Sequence, residues 1–143
     1  MKLASVDYGR RRIGLAVTDA GGLIVRGLEV VDRRRHGDAV AAVAGVMARE
    51  APARLVVGVP LGPDDEETAM STEARAFGDA LANATGLPVD FVDESFTSAA
   101  AGALVLHRPR KQRRDKCTTD RIAACLILEA YLRQRADATG MRD

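Results

Sequence analysis

The periodicity of this chain changes at residue 37, and that change limits the folds open to it. Before it, three runs rich in β-branched residues, at 2–7, 13–18 and 23–31, are separated by Gly9-Arg10-Arg11 and by Asp19-Ala20-Gly21-Gly22. Short turns between such runs predict an antiparallel meander. After it, helical and extended patterns alternate. Val40, Val43, Ala44 and Met47 recur at helical spacing within 37–50, and 54–59 is an almost continuously apolar strand of the kind buried in parallel sheets. A second helix is expected over about 71–85, a strand over 88–92, a third helix over about 95–107 and a last one over 119–135. The expected fold class is α/β, with a mixed central sheet (a three-stranded antiparallel meander plus parallel strands) flanked by helices. At 143 residues the whole chain fits one domain, 1–143, with fraying expected over 137–143.

Charge matters here through its distribution. The net charge is +1, yet residues 1–36 carry eight basic and four acidic groups, 37–100 three and eleven, and 101–143 ten and five. Clustered arginine neutralises phosphates, whereas an acidic patch repels nucleic acid unless metal ions sit on it. A solvated surface is the plainer reading of any one cluster. Two stretches stand outside the periodic elements as expected mobile loops: the acidic 61–69 (LGPDDEETA) and the basic 108–116 (RPRKQRRDK). Zinc is not expected, because Cys117 and Cys125 are eight apart and His36 and His107 are distant in sequence. No signal-peptide pattern opens the chain and no apolar run approaches a membrane span, so a reduced, cytoplasmic setting is expected. Five aromatic residues are too few to build stacking platforms for single strands.

Carboxylates stand at three informative places. Asp7 lies where an apolar strand meets a glycine turn, so its side chain would project from the end of the sheet; simple turn stabilisation is the alternative. Asp93 and Glu94 end the PVDFV strand, and alternation allows only one of them to face the Asp7 side, a choice that spacing alone leaves open. Either would also serve as charge at the start of the next helix. Asp120 lies in the first turn of a helix whose apolar stripe runs through Ile122, Ala123, Leu126, Ile127, Ala130 and Tyr131, widened by Ala124, Cys125 and Leu128. Thr118 or Thr119 already supplies a cap oxygen there, although a first-turn Asp is commonplace.

The order DYGRRRIGLA, VVGVPL, DESFTS and TDRIAACLILEAYL resembles the RuvX/YqgF family of Holliday-junction-resolvase type, now regarded as nucleases of the small-subunit ribosomal RNA precursor. The resemblance covers nearly the whole chain. It implies an RNase H-like fold and a catalytic Mg²⁺ or Mn²⁺ site at Asp7, Glu94 and Asp120. The chemistry would be metal-assisted phosphodiester hydrolysis, with Asp7 bridging two ions and each of the others completing one shell. Arg12 matches the family's basic position before Ile-Gly, and Thr97 matches its hydroxyl position after the Asp-Glu pair. Two departures stand out: Ser95 follows Glu94 where the family usually has Arg, and 62–66 replaces the usual Asn-x-x-Gly loop.

RNA is the favoured substrate and a DNA four-way junction the alternative, with a monomer favoured over a dimer because no sizeable self-complementary surface is evident. Arg110, Lys111, Arg113 and Arg114 of the basic stretch are expected to hold the nucleic-acid backbone. Two readings compete. Asp7-x-Gly9 also resembles the first phosphate loop of actin-like ATPases, but those duplicate the fold and this chain carries one copy. A non-catalytic nucleic-acid-binding module would be expected to have lost a carboxylate, and none is lost.

Overall fold

A computed structural model of the chain describes residues 1–93 and 116–139, with the side chains of the last segment described from 122 to 135. The elements are β1 (Leu3–Asp7), β2 (Arg12–Thr18), β3 (Val25–Asp32), α1 (Ala39–Glu50), β4 (Arg54–Val59), a 3₁₀ turn (Pro63–Asp65), α2 (Ala69–Thr85), β5 (Val89–Asp93) and α3 (Lys116–Thr139). The five strands form one sheet in the order β3-β2-β1-β4-β5. β1 pairs antiparallel with β2 and parallel with β4, β2 pairs antiparallel with β3, and β4 pairs parallel with β5. The expected meander and parallel half therefore meet at β1.

Strand alternation divides the core in two. Ala4, Val6, Ile13, Leu15, Leu55 and Val57 pack with Val43 and Met47 of α1 and Phe77 and Leu81 of α2. Leu3, Ala16, Val56 and Val92 face the other way, onto Ala124, Ile127 and Leu128 of α3. Helices thus cover both faces. Burying each large apolar side chain contributes about 1.5–3 kcal/mol, so neither face of the sheet is a dispensable surface. Gly78 lets α2 approach β5, because a Cβ there would lie 2.6 Å from Cε1 of Phe91.

Several boundaries differ from expectation for local reasons. β3 begins at Val25, because the Asp19 carboxylate accepts the backbone N–H groups of Leu23 and Ile24 and holds both in the turn. α2 begins at Ala69, where Thr68 and Ser71 form a reciprocal capping box with Ser in place of the usual acidic partner. The acidic stretch contains the 3₁₀ turn, with Asp64 and Asp65 at positive φ, and its last residue, Ala69, belongs to α2. α3 is longer than expected at both ends. It takes in Lys116 from the basic stretch and continues past 137 to Thr139. Its sheet-facing row runs through Ala124, Ile127 and Leu128 to Tyr131, so two residues assigned to the margin of the stripe are central, while Ala123 and Leu126 are half-buried. The helix expected over 95–107 lies outside the described residues.

Candidate functional site

The C-terminal ends of β1, β4 and β5 reach the same edge of the sheet, the usual place for ligands in parallel α/β architecture. Asp7 ends β1 there. Leu3 and Ser5 face α3, and alternation puts Asp7 on that same face. In the row that crosses the sheet at this level, Asp7 pairs with Gly14 of β2 on one side and Gly58 of β4 on the other, and Gly58 pairs with Val92 of β5. The carboxylate is therefore flanked by two positions without side chains. Sequence reading missed this, since cross-strand register alone reveals which glycines stand beside Asp7.

Register also bears on the choice between Asp93 and Glu94. Val92 belongs to the core on the α3 side, so Asp93 falls on the opposite face from Asp7. Glu94 lies outside the described residues, as do Thr97, Arg110, Lys111, Arg113 and Arg114.

Position 120 is placed by the backbone of α3. The buried Ser5 hydroxyl donates to the Ala124 carbonyl at 2.6 Å, fixing that turn of the helix over β1. Seven residues later the Tyr131 hydroxyl bonds the Asp90 carboxylate, which also accepts from Arg54, and Arg54 pairs with Leu3 at the start of β1. Asp90 stands in the sheet row of Ser5, through Val56, so these bonds tie α3 to both β1 and β5. Position 120 lies four residues before Ala124, about 6 Å along the helix at 1.5 Å per residue. Asp7 is two residues beyond Ser5, about 6.6 Å along β1. Burial of the Tyr131 hydroxyl and its bond to Asp90 raise its pKa, which keeps it a donor.

The turn after Asp7 is held from outside. Gly9 is required there, because a Cβ would meet the Arg12 carbonyl oxygen at 2.3 Å. Arg10 donates through Nε and Nη2 to both oxygens of Glu73 on α2, the shorter bond being 2.6 Å, and the Tyr8 hydroxyl donates to Glu73 at 3.1 Å. Arg33 donates to the Tyr8 hydroxyl and the Gly9 carbonyl and lies over the Tyr8 and Phe77 rings. The Arg10 and Tyr8 hydrogen bonds hold the Glu73 carboxyl below its usual range. Tyr8, Arg10, Arg33 and Glu73 formed no part of the expected site. Their signal is tertiary, with Glu73 more than sixty residues from the turn it anchors. Arg12 opens β2, paired with Asp32, and lines a cavity beside it.

Among the described residues, no three His, Cys, Asp or Glu side chains form a group fit for a metal ion. A hard divalent ion asks for several oxygen ligands, so Asp7 serves one only together with carboxylates from beyond this set. Glu94 follows β5 in sequence and Asp120 belongs to α3, and both are carboxylates, the donor type such an ion takes.

The sequence profile of the RuvX family, described as Holliday junction resolvase, matches residues 1–134. A protein of Synechococcus elongatus named "Putative pre-16S rRNA nuclease" is 35% identical over 132 residues, covering 92% of this chain and 89% of that one. A Thermus thermophilus protein of the same name is 36% identical over 132 residues, covering 92% and 97%. Among solved structures, T. thermophilus RuvC in complex with a Holliday junction substrate superposes with a TM-score of 0.60 at 23% identity, covering 94% of this chain and 96% of that one, a likeness of fold. The order of strands, the carboxylate at the end of β1 and the match along nearly the full length agree: this chain belongs to the RuvX family, on an RNase H-like fold.

Proposed function

We propose that the protein is a metal-dependent nuclease that hydrolyses phosphodiester bonds in the precursor of 16S ribosomal RNA. The observation that carries this is the placement of Asp7 between Gly14 and Gly58, at the sheet edge where β5 also ends. Relatives named for pre-16S rRNA support the substrate. Asp7, Glu94 and Asp120 would hold Mg²⁺ or Mn²⁺, which when bound supplies water activation and stabilises the leaving oxygen. The rest falls to the chain. β1, fixed on both sides by its ladders, orients Asp7, and the Arg10–Glu73 anchor keeps the following turn from swinging across it. Arg12 meets a backbone phosphate next to the cut, Thr97 donates a hydroxyl to the substrate, and Arg110, Lys111, Arg113 and Arg114 neutralise phosphates farther along.

The protein acts as a monomer in the cytoplasm in this reading. Met1, Leu23 and Ile24 are the exposed large apolar side chains among the described residues, too little for the core of a stable isologous interface of ~800 Å² per partner. None of the described helices is long and apolar enough to cross a membrane. Holliday junction resolution is the second reading, favoured by the description of the family itself.

The deciding assay offers single-stranded RNA spanning the 16S 5′ boundary, duplex DNA and a four-way junction, each with Mg²⁺ or Mn²⁺, to the wild type and to Asp7→Asn. Cleavage of the RNA by the wild type alone is expected. Paired symmetric nicks in the junction, with the RNA left intact, would replace this reading by the resolvase.

A further inference from the structure

The end of the meander carries a basic corner. The C-terminal end of β3 and the start of β2 lie at the same sheet edge as Asp7, because β3 runs parallel to β1 through the antiparallel β2. Arg11, Arg12, Asp32, Arg35 and His36 line a cavity of about 420 Å³ there. Three arginines thus face one carboxylate. Arg11, Arg12, Arg34 and Arg35 take part in none of the ion pairs found among the described residues, whereas Arg10, Arg26, Arg49, Arg54 and Arg75 all do. Arg11 and Arg35 are exposed. Asp32 is occupied in building the corner: its Oδ1 accepts from the Arg34 backbone N–H at 3.0 Å and its carbonyl from that of Arg35 at 3.0 Å, while the Arg33 N–H donates to the Arg11 carbonyl at 2.8 Å. The Arg34 N–H, with Arg11, Arg12 and Arg35 nearby, lowers the Asp32 pKa and keeps it ionised.

Unpaired like charges held together on a rigid turn cost free energy that a polyanion removes. The geometry points to a phosphate-binding corner, formed by Arg11 and Arg35 beside Arg12, that holds the backbone of a single nucleic-acid strand on one side of the scissile bond. β3 is two strands from β1, about 10 Å, which places the gripped phosphates within a few nucleotides of the cut. The sheet order makes this contact one-sided, since β4 and β5 extend from Asp7 in the other direction. The inference rests on the nuclease reading and specifies where its substrate lies.

The test compares Arg11→Ala/Arg35→Ala with Arg11→Lys/Arg35→Lys, both in an Asp7→Asn background that stops cleavage. Binding of a labelled single-stranded RNA is followed between 50 and 200 mM salt, concentrations over which phosphate contacts alter affinity steeply. Loss of two phosphate contacts is expected to flatten the salt slope by about 1.4, while the Lys pair keeps it. Removing all nucleotides beyond the first on one side of the cut should erase the difference between the Ala pair and its Asp7→Asn parent, and removing them on the other side should preserve it. Neither variant is expected to melt below the Asp7→Asn parent, as neither arginine forms an ion pair. An unchanged slope in the Ala pair, while the parent binds and the wild type cleaves RNA, overturns the corner and leaves the nuclease reading standing. A wild type that neither binds nor cleaves any of the three substrates overturns both.

Discussion

At Asp7 the two neighbouring positions in the sheet row are Gly14 and Gly58, so neither adjacent strand sets a side chain beside the carboxylate in that row. A methyl group at 58 would stand one strand spacing, about 4.8 Å, from Asp7, in the space an ion or phosphate needs. Gly58→Ala is expected to lower Mn²⁺ affinity and cleavage at least about 10-fold, within the range seen for groups that shape a metal site from outside. Calorimetry of the metal-free variant separates this loss from any destabilisation at the buried position. The anchor at Glu73 gives a second expectation. Its folded pKa is depressed, so its stabilisation is complete above the ordinary glutamate value and is lost as pH falls through the lowered folded value. The gap in melting temperature between wild type and Glu73→Gln should therefore stay constant from pH 7 to about 5.5 and close below about 4.3. A gap that widens on acidification would contradict the anchor. The place of Asp7 at the end of a strand was legible in the sequence, as a carboxylate between an apolar run and a glycine turn. Its flanking glycines and the Glu73 anchor were not, because both depend on pairings between residues remote in sequence.

Among the elements, α3 does most to assemble the edge. Ser5 is fully buried, and its hydroxyl is bonded to the helix where a purely apolar contact would let α3 slide. Ser5→Ala is expected to cost about 0.5–1.5 kcal/mol, the usual worth of such a hydrogen bond, read from denaturant midpoints at unchanged m-value. Ser5→Val, which adds volume under the same turn, should cost about 1–3 kcal/mol and also reduce metal-dependent cleavage, because position 120 moves with the helix. Normal cleavage by Ser5→Val would separate α3 from the site. The described strands were legible within two residues, since their β-branched runs end at glycine or polar turns. The exceptions had side-chain causes invisible to periodicity: Asp19 taking the N–H groups of Leu23 and Ile24, and Ser71 completing the Thr68 cap. The central row of α3 was read one position off because its apolar residues surround most of the helix, and only the sheet selects Ala124, Ile127, Leu128 and Tyr131.

Across the whole molecule, the order β3-β2-β1-β4-β5 turns a linear segregation of charge into a spatial one. Arg11, Arg12 and Arg35 gather at one end of the Asp7 edge, and β5 lies on the other side of β1. Net charge of +1 conceals this arrangement. Fold class was readable from the alternation of patterns and family from four motifs in order, but a shared site is a property of distances, which no single motif contains. The central claim is that Asp7, Glu94 and Asp120 hold one metal site between them. Calorimetric titration of Mn²⁺ into the wild type, Asp7→Asn, Glu94→Gln and Asp120→Asn tests it most directly. A shared site predicts millimolar or tighter binding by the wild type, and a loss in each single variant beyond the ~100-fold that an outer neighbour of a metal site costs. Pairing two substitutions should then add little, because one missing ligand already empties the site. Wild-type affinity retained in any one of the three variants would remove that residue from the site and contradict the account.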